Sequence, residues 1–533
     1  MTHANPPDDG RVRAAEVISG LSLATDLGTG LPLEHGLEST LLAMRLADRL
    51  NVDDETAMET YYGCLLFYIG CTTNADLAAE LFMDDNALTK HATAVRFGSR
   101  PQMIGGLLRA VAPPGGAPWV RAGQFARGVP RLLLKFPGVV AAICEVGRML
   151  TARLGLPPSV SGLFAYVGER WDGKGDPSGV EGEGIPLAVR IVHVARDAAF
   201  QRMLGGWKAA AETVRERAGG AFDPDVARQL ADDDDTILSL DEGSSAWKSV
   251  VAAEPKPWLW LEGEELDRAL HAMGDFADLV SPHLTGHSKR VADLVAAAAR
   301  QWGLAEVDVT QVRRAGFVHD LGRVAVPARV WHQDGPLHPD DWEQVRLHAY
   351  HTERVMTPSS FLARVGRIAS FHHERLDGSG YHRGASGPAL DRRVRVLAAA
   401  DVYQAMREPR AHREPLSPEE ATEALVGEAD AGRLDPDAVT AVLTAAGEPT
   451  PSVSRPAGLT VREVQVISLL ARGRQTKQIA RELDISPNTA DHHIQHAYRK
   501  IGVSTRAAAT LFAMEHGLVA WRELAIDRPG DRQ

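Results

Sequence analysis

The chain has 533 residues, 44% of them apolar, and a formal net charge of −12; it is long enough for three or four domains with true cores and too acidic to coat nucleic acid along its whole surface, although a local basic module is allowed. Cys64, Cys71 and Cys144 are odd in number and confined to the first third, which points to reduced thiols that pack rather than to a disulfide framework. Residues 1–13 are polar and include Asp8 and Asp9, unlike a secretory leader, and no run reaches the roughly 18 apolar residues of a membrane helix, so a cytoplasmic protein without membrane attachment is expected.

Residues 11–230 read as largely helical, with an apolar stripe at Leu37, Leu41, Met44, Leu46 and Leu50. Asp232 to Asp235 and Gly243-Ser244-Ser245 follow. A run of like charges is usually solvated, so residues 231–260 are predicted to be an acidic linker. Trp258 and Trp260 are expected to pack where the next domain, residues 261–447, begins.

That domain carries the chemistry. Phe317-Val318-His319-Asp320-Leu321-Gly322-Arg323 sets an imidazole beside a carboxylate in apolar surroundings, a donor pair suited to Fe, Mn, Zn or Co. Further donors stand at His287, at the start of a helical pattern, at His348, at the doublet His372-His373, and at Asp401 after Val396-Leu397-Ala398-Ala399-Ala400. Seven potential ligands are enough for two divalent metal ions that share a water, an arrangement suited to phosphoester hydrolysis. On a helix, adjacent His372 and His373 point about 100° apart and so address different ions.

These residues resemble the HD superfamily of metal-dependent phosphohydrolases, and within it the HD-GYP family of cyclic di-GMP phosphodiesterases. The match covers about residues 270 to 430: His287-Ser288-Lys289-Arg290-Val291, His319-Asp320-Leu321-Gly322-Arg323, and His372-His373-Glu374-Arg375-Leu376-Asp377-Gly378-Ser379-Gly380-Tyr381. The resemblance implies metal ligands at His287, His319, Asp320, His348, His372, His373 and Asp401. Asp320 is expected to bridge the ions, and Arg323 to offset charge on the non-bridging phosphate oxygens. Three departures stand out. Arg323 replaces the family's lysine, and a planar fork is not equivalent to a compact ammonium. The family's Gly-Tyr-Pro reads Gly380-Tyr381-His382, and His283 stands where some members have a glutamate for a third metal.

The first half repeats the second. Glu169-Arg170-Trp171-Asp172-Gly173-Lys174-Gly175 precedes Glu374 to Gly380 by 205 residues, and the same offset relates Gly179 to Gly384 and Arg190 to Arg395; an offset of 252 sets His35 against His287 and Gly70 against Gly322. Residues 11–230 are therefore read as a degenerate HD-like domain. Phe67 and Tyr68 replace the His-Asp pair, Val167 and Gly168 the His doublet, and Arg196 the final aspartate. A regulatory or sensor role is expected of it, or a purely structural one. Gly168 to Lys174 spells G-x-x-x-x-G-K but lacks the Ser or Thr of a P-loop, and the repeat identifies it as the counterpart of the Asp-Gly-x-Gly loop.

Residues 448–457, rich in Pro and Ser, read as a second linker. Thr460 is placed to cap a helix with apolar Val464, Ile467, Leu469 and Leu470, and Gly473 ends it. Thr476 to Leu483 forms a short helix, Asp484-Ile485 a turn, and Ser486-Pro487 starts a second helix running to Ile501. Residues 458–523 resemble the LuxR-type helix-turn-helix domain, with Arg462-Glu463, Ile479-Ala480, Thr489, His493, Lys500-Ile501-Gly502-Val503 and Arg506 in place; they hold nine Lys/Arg against six Asp/Glu. By that resemblance Asn488, Thr489, Asp491, His492 and Gln495 are candidates at the DNA groove and Lys477, Arg499, Lys500 and Arg506 at phosphates.

The whole is expected to be all-α: tandem HD-type helical domains, the first degenerate, followed by a small four-helix DNA-binding domain. The partners implied are DNA and a nucleotide phosphodiester, with a homodimer to read paired half-sites. Two functions are open at this point: a two-metal phosphodiesterase acting on cyclic di-GMP or a related compound, or a catalytically weak sensor that passes ligand occupancy to the DNA-binding domain.

Overall fold

The structure, a computed structural model, describes residues 10–70, 142–232, 245–333, 335–448, 456–483, 485–516 and 518. Cys71, Asp233 to Asp235, Gly243-Ser244, Asp484 and most of the Pro/Ser linker lie outside them. The architecture is helical; the one sheet among the described residues pairs β1 (Val12–Arg13) antiparallel with β2 (Trp260–Leu261). The chain forms two compact units that alternate along the sequence. One comprises residues up to 289, 317–366 and 410–413; the other comprises 290–316, 367–409 and 414 onward.

In the first unit, helices α1 (Ala14–Thr29), α2 (His35–Leu50) and α3 (Asp54–Leu65) open the chain. Asp53 caps α3 by accepting from the Thr56 amide, and Gly30 ends α1 at φ 68°. A helix follows at 142–153, then α4 (Leu187–Glu216) and α5 (Pro224–Ala231), the latter capped by Asp223. Leu42, Leu46, Phe67, Ile191, Val194, Phe222 and Leu230 form one buried core among these helices.

Residues 245–260, expected to be linker, are ordered. Helix α6 (Ala246–Ala252) accepts from the Tyr61 hydroxyl at the Val250 carbonyl, 2.9 Å. Arg13 donates to Glu254 and to the Val251 carbonyl, and Glu254 also accepts from Tyr62, 2.6 Å. With the Leu259 amide as a third donor residue, the carboxylate is satisfied without solvent, which fixes a stretch whose sequence reads as solvated. Trp258 packs under the Arg13 guanidinium (4.2 Å to the ring centre) and Trp260 near Arg11 (5.5 Å).

Helices α7 (Gly263–Asp278), α8 (His287–Gln301), α9 (Glu306–Val318), α10 (Pro339–Met356), α11 (Ser360–Ala369) and α12 (Arg392–Met406) carry the HD motifs. α1 packs on the 321–325 turn and on α10 as well as on α2 and α3. Its buried residues run from Ala14 through Asp26 with only Glu16 omitted, because apolar neighbours meet it all round. A Cβ on Gly20 would lie 2.7 Å from the Leu362 side chain.

The second unit continues with α13 (Pro418–Asp430), whose capping box pairs Ser417 with Glu420, and α14 (Pro436–Ala446), capped by Asp435. It ends in α15 (Val461–Ala471), α16 (Thr476–Glu482), α17 (Pro487–Ile501) and α18 (Arg506–Glu515). Val466, Ile467, Ile479, Ala490, Ile494, Ala497 and Ala509 form the core of this last group.

The repeat is visible in hydrogen bonds as well as in letters. Asp26 accepts from the Gly36 amide (3.2 Å) and Asp278 from the Ser288 amide (2.9 Å), at the same 252-residue offset. Glu169 accepts from the amides of Ser178 and Val180, and Glu374 from those of Arg383 and Ala385, 205 residues on. Arg190 pairs with the cap Asp223, and Arg395 with the cap Asp435. The Glu169 carboxylate of the G-x-x-x-x-G-K stretch is thus taken up by two amides just beyond Lys174, those of Ser178 and Val180.

Candidate metal centre and nucleic-acid interface

Asp320 lies two residues beyond the end of α9 and is fully buried. His319 Nε2 lies 2.9 Å and His287 Nε2 3.4 Å from its Oδ2, and His348 Nε2 lies 3.3 Å from its Oδ1. Arg323, one turn on, places Nη2 2.7 Å from Oδ2. Burial alone would raise the Asp320 carboxyl, but Arg323 first and then His319 and His287 outweigh it and hold it well below the usual carboxylate range. It is therefore an anion ringed by nitrogen.

The backbone around it is held by residues the sequence reading passed over. Thr352, one turn after His348, accepts from the Gly322 amide at 2.8 Å and donates to the His319 carbonyl at 3.0 Å. Gly322 is required here: an added Cβ would lie 2.0 Å from the His348 carbonyl oxygen. Asp278 holds Ser288, next to His287, by amide and hydroxyl; burial raises it to about 6, against the pull of His287 and Arg323. Trp331 lies under the Arg323 guanidinium, 5.4 Å away. The signal for Asp278 was present in the sequence, since Asp26 precedes it by the repeat offset; Thr352 and Trp331 gave none.

His348 and His372 each use Nδ1 on a carbonyl of the preceding turn, that of Val345 and that of Ala369 respectively. Such a bond fixes the tautomer and leaves Nε2 as a lone-pair donor. Contrary to the helical placement expected from the sequence, His372 and His373 do not lie on a helix. They sit in the turn after α11, where the His372 amide reaches the Ala369 carbonyl at 3.3 Å, and their rings are 4.0 Å apart. Tyr381 stacks on His373 at 4.6 Å, and His373 Nδ1 lies 3.9 Å from Asp401 Oδ2.

Two groups of donors have the composition of a cation site: Asp320 with His348, His372 and His373, and His287 with His319, Asp320 and Asp401, the ligand atoms in each group lying within 4.8 Å of one another. Neutral imidazole and carboxylate fit a divalent transition metal, and Asp320 belongs to both groups.

The counterpart site in the first copy is closed by other chemistry. The Arg196 guanidinium lies 4.4 Å from the centre of the Phe67 ring and 5.3 Å from that of Tyr68. Cation and aromatic faces attract one another, so the pocket is filled where the second copy gathers ligands.

In the last four helices, Ala490, Ile494 and Ala497 bury one face of α17, while Asn488, Asp491, His492, Gln495 and Arg499 are exposed at helical spacing on the other. Thr489 is also exposed, but its hydroxyl meets that of the N-cap Ser486, 2.7 Å, and its amide donates to the same oxygen. Lys477 is exposed on α16. Lys500 and Arg506 are engaged internally. Lys500 pairs with the buried Glu463 at 2.6 Å, and Arg506 donates to the carbonyls of Leu470 and Arg474.

Residues 271–438 match the family described as HD domain, and residues 457–513 match that of bacterial regulatory proteins, luxR family. The chain thus joins an HD domain to a LuxR-type helix-turn-helix domain, as the motifs implied. Among curated proteins it is similar to the 3'3'-cGAMP-specific phosphodiesterase 3 of Vibrio cholerae, 26% identical over 75% of this chain and 87% of that protein. It is also similar to the cyclic di-GMP phosphodiesterase of Thermotoga maritima (31% identical, 30% of this chain, 42% of that one). The cyclic di-GMP phosphodiesterase response regulator RpfG of Xanthomonas campestris is 34% identical over 34% of this chain and 47% of its own length. A crystal structure of a cyclic GMP-AMP specific phosphodiesterase from V. cholerae shares the fold, with a TM-score of 0.55 at 23% identity over 82% of this chain and 98% of that one. No helix among the described residues is long and apolar enough to cross a membrane.

Proposed function

We propose that this chain is a metal-dependent phosphodiesterase of cyclic dinucleotides, cyclic di-GMP or 3'3'-cGAMP, working in the cytoplasm as a homodimer that also binds DNA. In this reading residues 11–230 form a regulatory HD-like domain, 261–447 the hydrolase and 458–523 the DNA-binding output. The observation that carries it is the buried Asp320 carboxylate shared by two His/Asp donor groups. His287, His319 and Asp401 with one oxygen of Asp320, and His348, His372 and His373 with the other, would hold two ions such as Fe or Mn. A pair of divalent cations bound there supplies Lewis acidity and lowers the pKa of water to near neutrality.

The protein groups do the positioning. Nδ1 bonds hold His348 and His372 in the ligating tautomer, and Tyr381 keeps the His373 ring in place. Arg323 is buried, with Nε and Nη1 lacking a hydrogen-bond partner, so it has two N–H donors to offer a phosphoryl oxygen as charge builds there. The named substrates of the relatives supply the substrate class.

The test is to incubate the purified chain with Mn or Fe and each cyclic dinucleotide, follow linear product by chromatography, and measure bound metal. Asp320→Ala should abolish both product and metal retention while DNA affinity stays within about twofold. Turnover retained by that variant would sink the proposal. A second reading has one observation in its favour: Arg323 already pairs with Asp320 at 2.7 Å, which opposes cation binding. If that effect wins, ligand alters DNA retention reciprocally and no product forms.

A further inference from the structure

The first copy retains an open cleft of about 400 Å³ beside the pocket that Arg196 fills, lined among others by His35, Glu38, Arg202, Met203, Gly206 and Trp207. Its size falls in the range of roughly 300–1,000 Å³ typical of ligand sites. Both donor groups suited to a cation lie elsewhere among the described residues.

Its lining is chemically specific. The Arg202 guanidinium lies 4.5 Å from the centre of the Trp207 ring and pairs with Glu38. The Arg202 and Glu38 side chains are 23% and 33% exposed, and Met203 is 43% exposed, so solvent-borne molecules reach them. Gly206 interrupts α4 at φ 77°, ψ 179°, a conformation essentially confined to glycine, and Trp207 resumes the helix at the cleft. His35 is 4% exposed, and its Nε2 has no hydrogen-bond partner. Its ring lies between those of Tyr68 and Phe200, with centres 6.4 and 6.1 Å away. A buried polar atom without a partner is rare enough to need an explanation, such as a trapped water or a ligand. The second copy differs at the same place: there Arg290 pairs with Glu408, whereas Glu38, at the offset of Arg290, supplies the anion.

We infer that this cleft binds a purine nucleotide, and guanine in preference to adenine. A base entering the cleft takes the place of the Arg202 guanidinium on the indole face, which releases Glu38 and the Arg202 fork from one another. A carboxylate is an acceptor only; Glu38 therefore suits the adjacent N1–H and N2 amino donors of guanine and opposes the N1 acceptor of adenine. The Arg202 fork suits a phosphate or the guanine carbonyl. Binding here does not depend on hydrolysis at Asp320, so the cleft would report nucleotide level while the second copy acts on its own substrate.

The experiment is calorimetric titration of the full chain in EDTA with GMP and with AMP. GMP should bind, AMP about tenfold more weakly, and Trp207→Leu and Glu38→Gln should each weaken GMP by about tenfold. Glu38→Gln should also narrow the gap between the two nucleotides, and Asp320→Ala should leave GMP binding as it was. Melting curves confirm that the variants fold; if Trp207→Leu does not, the near-isosteric Glu38→Gln carries the test. Equal affinity for AMP and GMP overturns the guanine assignment. Absence of binding up to about 1 mM, or GMP binding that survives both variants and disappears in Asp320→Ala, overturns the site.

Discussion

Gly322 shows how a missing side chain supports the candidate metal centre. Its missing side chain lets the His319-Asp320 turn lie against α10, where Thr352 joins both strands of chain. Gly322→Ala puts a methyl group against the His348 carbonyl, and overpacking of this kind costs about 1–3 kcal/mol or more. The melting temperature should fall by several degrees, at roughly 2–4 °C per kcal/mol for a body of this size, and bound metal should drop with it. An unchanged melting curve would show that the turn yields freely. Asp26 offers a test by pH. Burial raises it to about 8, against its backbone hydrogen bonds from Gly36, Glu34 and His35, whereas an unfolded aspartate releases its proton near 3.8. The folded state therefore holds an extra proton between those values, so this group makes stability fall as pH rises from about 4 to about 8. Asp26→Asn should flatten that decline in urea unfolding measured at pH 5 and pH 8; an identical slope would refute the assignment.

At the scale of elements, what the sequence showed was local and periodic. Ser486-Pro487 starts α17, Thr460 and Glu463 form the capping box of α15, and the HD motif lands where α9 ends, because caps and breakers act within a few residues. What it hid needed neighbours distant in the chain. Lys500 and Arg506 read as phosphate contacts in the sequence, whereas Glu463 and the carbonyls of Leu470 and Arg474 hold them, and the His doublet reads as helical although α11 ends at Ala369. The two kinds of basic residue predict different behaviour. Lys477→Ala should weaken binding to all sequences alike and reduce the salt slope by about 1, whereas Gln495→Ala should cost about 1–3 kcal/mol on a selected operator and relax its sequence preference. Lys500→Ala should instead lower the melting temperature by unpairing the buried Glu463. Filter binding across a salt series, with a site enriched from random DNA, separates the three; a salt-slope change in Lys500→Ala would restore it to the interface.

At the scale of the whole molecule, the repeat offsets of 205 and 252 made the degenerate copy legible before any coordinate was known. They could not show that the first copy's helix α1 serves the second. Alongside its neighbours in the first copy, α1 meets the 321–325 turn and α10, and Glu16 accepts from Ser359. A fragment of residues 261–447 should therefore aggregate or melt well below the full chain in a thermal shift measurement, because removing α1 strips apolar surface that costs about 25 cal/mol per Å² to expose. A soluble, fully active fragment would show that α1 is dispensable.

Such a helix also constrains ancestry. Once a duplicated gene lets one half lean on the other, decay of the redundant chemistry is free while deletion of the redundant body is not. A copy whose helix packs against the other is thus kept for that packing, and the part of it where the HD residues are replaced is raw material on which selection can build a new specificity.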